Sequence, residues 1–166
     1  EELVNKYETG KHTCWGCPIA CKGYFRIEKG PYAIDKTHKT EYETFAAFGP
    51  MCFNDDIESI IQAGDICNRY GTDTISTGTA IAFAMECYEK GKITKEDTGG
   101  LEIKWGDSKA MIALINQIAK REGFGGEYLA DGPVEAAKRI GKGTEEFVSQ
   151  TKGLDYPAHD PRGHFS

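Results

Sequence analysis

The sequence predicts an all-α fold: multihelical, with at most a short N-terminal hairpin. Three observations predict it. Apolar residues recur at intervals of three and four over residues 57–67, 75–88 and 111–119, the spacing that lines one face of an α-helix. Each run opens next to an Asn, Asp or Ser and closes near a glycine, the residue types that cap and stop helices. Only residues 23–29 alternate in the manner of a strand.

Composition narrows the rest. The chain has 166 residues, of which 39% are apolar and 28% charged, enough for the core of one compact domain, residues 1–166, with a well-solvated surface. A net charge of −6 argues against nucleic acid as a partner, because such proteins carry a basic stripe. No stretch approaches the run of about 18 apolar residues that spans a bilayer, so no membrane contact is expected. Neither does the chain open on a charged segment followed by an apolar one, as a secretory leader does. The 20 glycines sit at helix ends and in short loops and read as punctuation.

Taken in order, residues 1–13 are polar and carry no strong pattern, and a cysteine-rich segment fills 14–21. After the 23–29 strand or hairpin, Gly30-Pro31 opens a loop reaching to residue 40. Glu41 to Phe48 predicts two helical turns, stopped by Gly49-Pro50. Asn54-Asp55-Asp56 supplies an N-cap and first-turn acids for a helix that Gly71 closes. A second long helix is predicted from Asp73 or Thr74 to Lys90. Its small residues Ser76 to Ala80 would let another backbone, or a flat ligand, come close. Thr94 to Asp97 reads as a capped turn. Asp107 or Ser108 caps a third helix ending at Arg121-Glu122-Gly123, and Pro133 starts a fourth reaching Ile140. A short pattern follows at Thr144–Val148. Leu154 to Gly163 holds two prolines and no period and reads as an irregular linker.

Six cysteines need a chemical account. Three of them, Cys14, Cys17 and Cys21, fall in one C-x2-C-x3-C run, while Cys52, Cys67 and Cys87 lie far apart in apolar, helical surroundings. A disulfide framework would spread its half-cystines between loops. Isolated cysteines pack as small apolar residues, and unpaired thiols imply a reducing compartment, here the cytoplasm. Clustered thiolates suit a soft cationic centre, iron–sulfur or zinc. Short arcs of two and three residues are typical of [4Fe–4S] loops, whereas structural zinc sites usually pair two separated halves. A cubane needs a fourth ligand, from Cys52, Cys67, Cys87 or from other polypeptide.

Two further positions carry chemistry, each with a plain structural reading beside it. Asp73 is either the N-cap of the second long helix or a carboxylate that, with nearby amides, accepts the N–H groups of a guanidine-like heterocycle. Glu43, beside the apolar Phe45 to Phe48, is either a wet-face glutamate or a general acid–base with its pKa raised by desolvation. His38 and His159 read as surface residues, and Trp15 and Trp105 as packing. Gly123-Phe124-Gly125-Gly126 lacks the ending of a phosphate loop.

The segments CWGCPIAC (14–21), EYETFAAFG (41–49), DICNRYGTDTISTGTAIAFAMECYEKG (65–91), GL…WG (100–106), IAKREGFG (118–125) and YPAHDPRG (156–163) occur in one order. In that order the chain resembles the tungsten-containing aldehyde:ferredoxin oxidoreductase family, specifically its first helical, middle domain, over about residues 10–163. ICNRYGTDTIS is also similar to the tungsten subunit of class II benzoyl-CoA reductases. The resemblance implies that Cys14, Cys17 and Cys21 hold a [4Fe–4S] cluster beside a tungsten (or molybdenum) bis-pterin. It places Asn68, Gly71, Thr72 and Asp73 on the family's D-x-x-G-L-[CD] pterin motif, with Asn68 replacing the first Asp and Thr72 the Leu. Glu43 falls where the family has a glutamate that assists proton transfer near the metal.

Its implied reaction is oxidation of a small aldehyde to a carboxylate with ferredoxin as acceptor. Its implied partners are the family's N-terminal β-rich and final helical domains, absent from this sequence; a homo-oligomer is compatible with it. The fourth cluster cysteine is implied to lie in the final domain. The chain alone is therefore expected to be inert and to lack cofactor. The alternatives are the benzoyl-CoA reductase subunit and a stand-alone helical Fe–S electron-transfer module.

Overall fold

The computed structural model describes the backbone from residue 2 and side chains from residue 5, both as far as residue 159. The chain forms two compact units, Glu1–Glu41 and Tyr42–Ser166. It is mainly α-helical, with one small N-terminal sheet.

In the first unit a short helix α1 (Glu2–Tyr7) precedes three antiparallel strands, β1 (Glu8–His12), β2 (Lys22–Ile27) and β3 (Ile34–His38), in the order β1-β2-β3. His12 pairs with Lys22 and Tyr24 with His38. Along β2, Phe25 and Ile27 are buried, and the Phe25 ring lies 6.3 Å from that of Tyr7 in α1. On β2 the expected alternation is seen. Its partners ETGKH and IDKTH hold too few apolar residues to alternate, so β1, β3 and α1 lay in stretches that read as patternless or loop. The connection between β1 and β2 is the cysteine-rich segment.

In the second unit, α2 (Tyr42–Phe48), α3 (Ile57–Tyr70), α4 (Thr74–Glu89), α5 (Ser108–Lys120) and α6 (Pro133–Ile140) surround a core that includes Phe48, Ile60, Ile81, Met85, Met111, Leu114 and Leu129. The caps follow the sequence. Asp56 accepts from Ser59 N, Asp73 from Ser76 N and Asp107 from Ala110 N, and Gly71 closes α3 in the left-handed region at φ 71°. Thr94 N and Asp97 N bond reciprocally to the side chains of Asp97 and Thr94. A 3-10 turn at Thr144–Phe147 replaces the last predicted pattern.

Within the small-residue stretch of α4, Gly78 receives a backbone. A Cβ on Gly78 would stand 2.7 Å from Ala47 Cβ and 2.8 Å from Ala47 O. Gly78→Ala is expected to destabilise the protein by about 1–3 kcal/mol through overpacking, whereas the same change in an open helix stabilises. Urea denaturation checks the sign.

After α5 the chain does not stop at Gly123. Arg121 turns left-handed at φ 56°, and a π-helical turn follows over Gly125–Leu129. Gly125 N donates to Gln117 Oε1 at 2.8 Å, while Arg121 and Arg139 both reach Asp131, at 2.8 and 2.6 Å. That turn delivers Leu129 to Gly132 onto one wall of a cleft.

Candidate cofactor cleft and cysteine loop

Asp73 is the N-cap of α4 and also lines a cleft. Its Oδ2 caps α4, accepting from Ser76 N at 2.7 Å, which leaves Oδ1 outside the helix's own bonding. It also lines a cleft of about 350 Å³ together with Thr72, Ser76, Asp131, Gly132 and Asp155. Thr72 Oγ1 is buried and makes no hydrogen bond of ordinary geometry. Its polar neighbour is the Cys67 thiol, a weak partner. The groups the cleft offers a ligand are those of its other polar lining residues, Asp73, Ser76, Asp131 and Asp155. The cleft therefore suits the amide- and amine-rich edge of a pterin. Asn68 and Gly71, the other motif positions, are exposed at the end of α3 and do not line this cleft.

Glu43 and Asp73 are brought to one edge of the second unit. Thr44 and Thr74, the residues that follow them, share a hydroxyl–hydroxyl bond of 2.9 Å, tying the start of α2 to the start of α4. Residues 153–159 complete that edge. Gly153 and Asp155 line the cleft, Ala158 N donates to Glu43 Oε2 at 2.8 Å, and His159 Nδ1 contacts Glu43 Oε1. The segment that reads as a linker is thus a strap between cleft and glutamate. His159 is exposed, as its reading as a surface residue expected, but its contact with Glu43 and the place of Asp155 in the cleft lining were not legible in the sequence. Residues 160–163 of YPAHDPRG lie outside the described residues. A second, apolar groove of about 300 Å³ begins at the next residue, Tyr156, with Met51, Phe83, Trp105 and Phe147. Trp105 packs edge-on against Phe53, as expected of a packing residue.

Desolvation pushes the Asp155 carboxyl above its ordinary value, Asp73 adds like-charge repulsion, and a Ser76 hydrogen bond partly offsets both. A raised carboxylate holds its proton in the fold at pH values where the unfolded chain has released it. Stability then falls as pH rises from the unfolded value of 3.8 through the raised one. Asp155→Asn, which keeps an acceptor for Ser76, is expected to melt above the wild type at about pH 7, with the difference gone at about pH 3. A thermal melt series over pH reads it.

The cysteine loop belongs to the first unit. Cys14 and Cys21 are exposed and Cys17 is half-buried; all are free thiols. Cys17 N donates to Cys14 O at 3.1 Å and Thr13 Oγ1 to Cys17 O at 2.6 Å, with Gly16 at φ 69° and Ala20 at φ 51°. Lys22, paired with Glu41 at 3.1 Å, places a positive charge beside Cys14 and Cys21. Trp15 and Ile19 are exposed, so Trp15 is not the packing residue the sequence suggested. Among the described residues no three His, Cys, Asp or Glu side chains are already arranged to hold a metal ion. Three soft donors on one loop are a chemistry that could serve an iron–sulfur cluster or zinc.

The remaining cysteines are unlike these. Cys52, Cys67 and Cys87 are buried in the second unit's core. Burial pushes the thiols of Cys52 and Cys87 up to about 12 and raises that of Cys67, which Thr72 and Thr77 oppose from beside the sulfur. Such thiols stay protonated and are poor metal ligands.

Compared with known families, the whole chain, residues 1–166, matches the family described as aldehyde ferredoxin oxidoreductase, domains 2 and 3. The chain belongs to that family. It is 40% identical over 164 residues to the tungsten-containing aldehyde ferredoxin oxidoreductase of Pyrococcus furiosus, covering 98% of this chain and 26% of that protein. The Pyrococcus abyssi relative is likewise 40% identical, over 166 residues and the same shares. The WOR-like subunit of an aliphatic sulfonate oxidoreductase from Pyrococcus furiosus is 34% identical over 152 residues, covering 89% of this chain and 24% of that one. Among solved structures, the active site complex BamBC of benzoyl coenzyme A reductase with 1,5-dienoyl-CoA is similar, with a TM-score of 0.74 and 27% identity over 88% of this chain and 21% of that one. The chain thus spans about a quarter of the length of these relatives. Among the described residues no helix is long and apolar enough to cross a membrane.

Proposed function

We propose that this chain, residues 1–166, works as the middle, cofactor-binding portion of a tungstopterin, [4Fe–4S] oxidoreductase that converts aldehydes to carboxylic acids with ferredoxin as electron acceptor. The observation that carries the reading is the polar cleft at the start of α4, where Asp73 stands with Thr72, Ser76 and Asp155. Asp73 Oδ1 would accept N–H donors from the pterin's guanidine-like edge, and the Asp155 carboxyl, whose pKa burial raises, would offer a second polar group to the heterocycle. Cys14, Cys17 and Cys21 would supply three thiolates to the cluster. When bound, the tungsten–pterin group would supply a two-electron redox centre and the cluster a one-electron relay. Glu43, engaged by the strap that also lines the cleft, would hold or release the proton exchanged as water adds to the carbonyl carbon.

Six free thiols support a reducing, cytoplasmic setting. The benzoyl-CoA reductase branch stands as a second reading, favoured by the BamBC likeness; it keeps the same residues and changes substrate and electron direction. A stand-alone electron-transfer module is disfavoured, because Cys52, Cys67 and Cys87 are buried as neutral thiols.

Asp73 provides the test, since one substitution separates cap from ligand. Asp73→Ala should cost about 1 kcal/mol through the lost N-cap, while Asp73→Ser restores that cap. In the holoenzyme both should lower tungsten retention about 10–100-fold on dilution into chelator, the worth of a hydrogen bond to a charged group. Full retention in Asp73→Ser would reduce Asp73 to a cap. The 166-residue chain alone is expected to contain no stoichiometric tungsten and to reduce no viologen with aldehydes; turnover by it would overturn the reading.

A further inference from the structure

We propose that His159 is a positioning residue for Glu43. The inference rests on the reading of Glu43 as the proton-handling group, and it adds the device that aims it. Glu43 lies in the first turn of a short helix, where a glutamate side chain is ordinarily loose. Here both its oxygens are engaged by adjacent residues 115 and 116 positions away in sequence: Ala158 N–H donates to Oε2 at 2.8 Å, and the His159 ring meets Oε1. His159 Nδ1 faces Glu43 Oε1, and the positioning role assigns Nδ1–H as the donor to that oxygen. Two donors on one carboxylate fix its plane as well as its position. The ring is held in turn by Tyr42, with centroids 4.8 Å apart, and the helix rotation by the Thr44–Thr74 bond. Because residues 153 and 155 of the same strap line the cleft, the orientation of Glu43 is set by the chain that walls the proposed cofactor site. Partners that orient a ligand or base through such a bond are typically worth about 10–100-fold when removed.

The test has a functional and a structural arm. In the holoenzyme, His159→Ala should lower kcat about 10–30-fold with KM changed less than about 3-fold and tungsten and iron contents kept, as for loss of an orienting partner. His159→Asn, whose side-chain amide reaches the same oxygen, should recover most of that loss. In the ¹⁵N-labelled 166-residue chain, the His159 ring should show the Nδ1–H tautomer, and Glu43→Ala should abolish that preference. An unchanged kcat in His159→Ala, an Asn variant no better than Ala, or an Nε2–H tautomer in the wild type overturns the positioning role. Glu43→Gln run in parallel separates the two failures. If it is inactive while His159→Ala is not, the positioning inference alone falls; if it is fully active, the reading of Glu43 falls and takes the inference with it.

Discussion

Gly126→Ala is expected to yield no stable fold at all. A Cβ at this position would stand 2.1 Å from the carbonyl carbon of Arg121 and 2.6 Å from its Cα, distances at which backbone must move. The obstacle is not a flexible side-chain end, as it is at Gly123, where the nearest atoms belong to Gln117. Relief would need the π-helical turn Gly125–Leu129 to unwind, breaking the Gly125–Gln117 bond and the Arg121–Asp131–Arg139 arrangement built on it. The cost should exceed the about 1–3 kcal/mol of ordinary overpacking, a large share of the about 5–15 kcal/mol that a domain has. The same turn carries Leu129, Asp131 and Gly132 to the cleft wall, so surviving protein should also lose the cleft's shape. Gly10→Ala, with nothing within 4 Å of the added carbon, is the control. A Gly126→Ala protein melting within a few degrees of wild type would show that the tight turn is not needed.

This turn also marks where the sequence stopped being legible. The helices α2 to α6 could be read because their signals are local: caps at Asp56, Asp73 and Asp107, stops such as Gly71, and apolar spacing matched to one helical face. The π-turn could not, because what requires glycine at 126 is the approach of Arg121 from the preceding helix end. Similarly, β1 and β3 are edge strands held by pairing with β2, and their own sequences carry no alternation. At the site, the motif positions Thr72 and Asp73 were readable from the resemblance, and Asp73's cap from the sequence alone. Asp155 and His159 act across some 80 to 115 residues of chain, through contacts no local pattern encodes. For the same reason the burial that neutralises Cys52, Cys67 and Cys87 was foreseen from their apolar neighbours, while the full exposure of Trp15 was not.

Glu43→Gln in the holoenzyme should lower kcat by about 10²–10⁴, the usual worth of a positioned general acid–base, while changing stability little. Glutamine is the informative replacement because it keeps the shape and an acceptor oxygen. The amide can still meet the Ala158 N–H or the His159 ring, so the strap should stay docked and the melting temperature should move by no more than a few degrees. What glutamine cannot do is take up and release a proton. A carboxylate serving only to tether residues 158 and 159 would give the opposite result: nearly full activity with glutamine and a lowered melting temperature with alanine. Tungsten and iron contents must be measured on each variant, so that a fall in kcat is not merely loss of cofactor. Since Thr44–Thr74 fixes the edge independently of Glu43, the cleft beside Asp73 should survive either substitution, and a loss confined to kcat would place the defect in proton transfer.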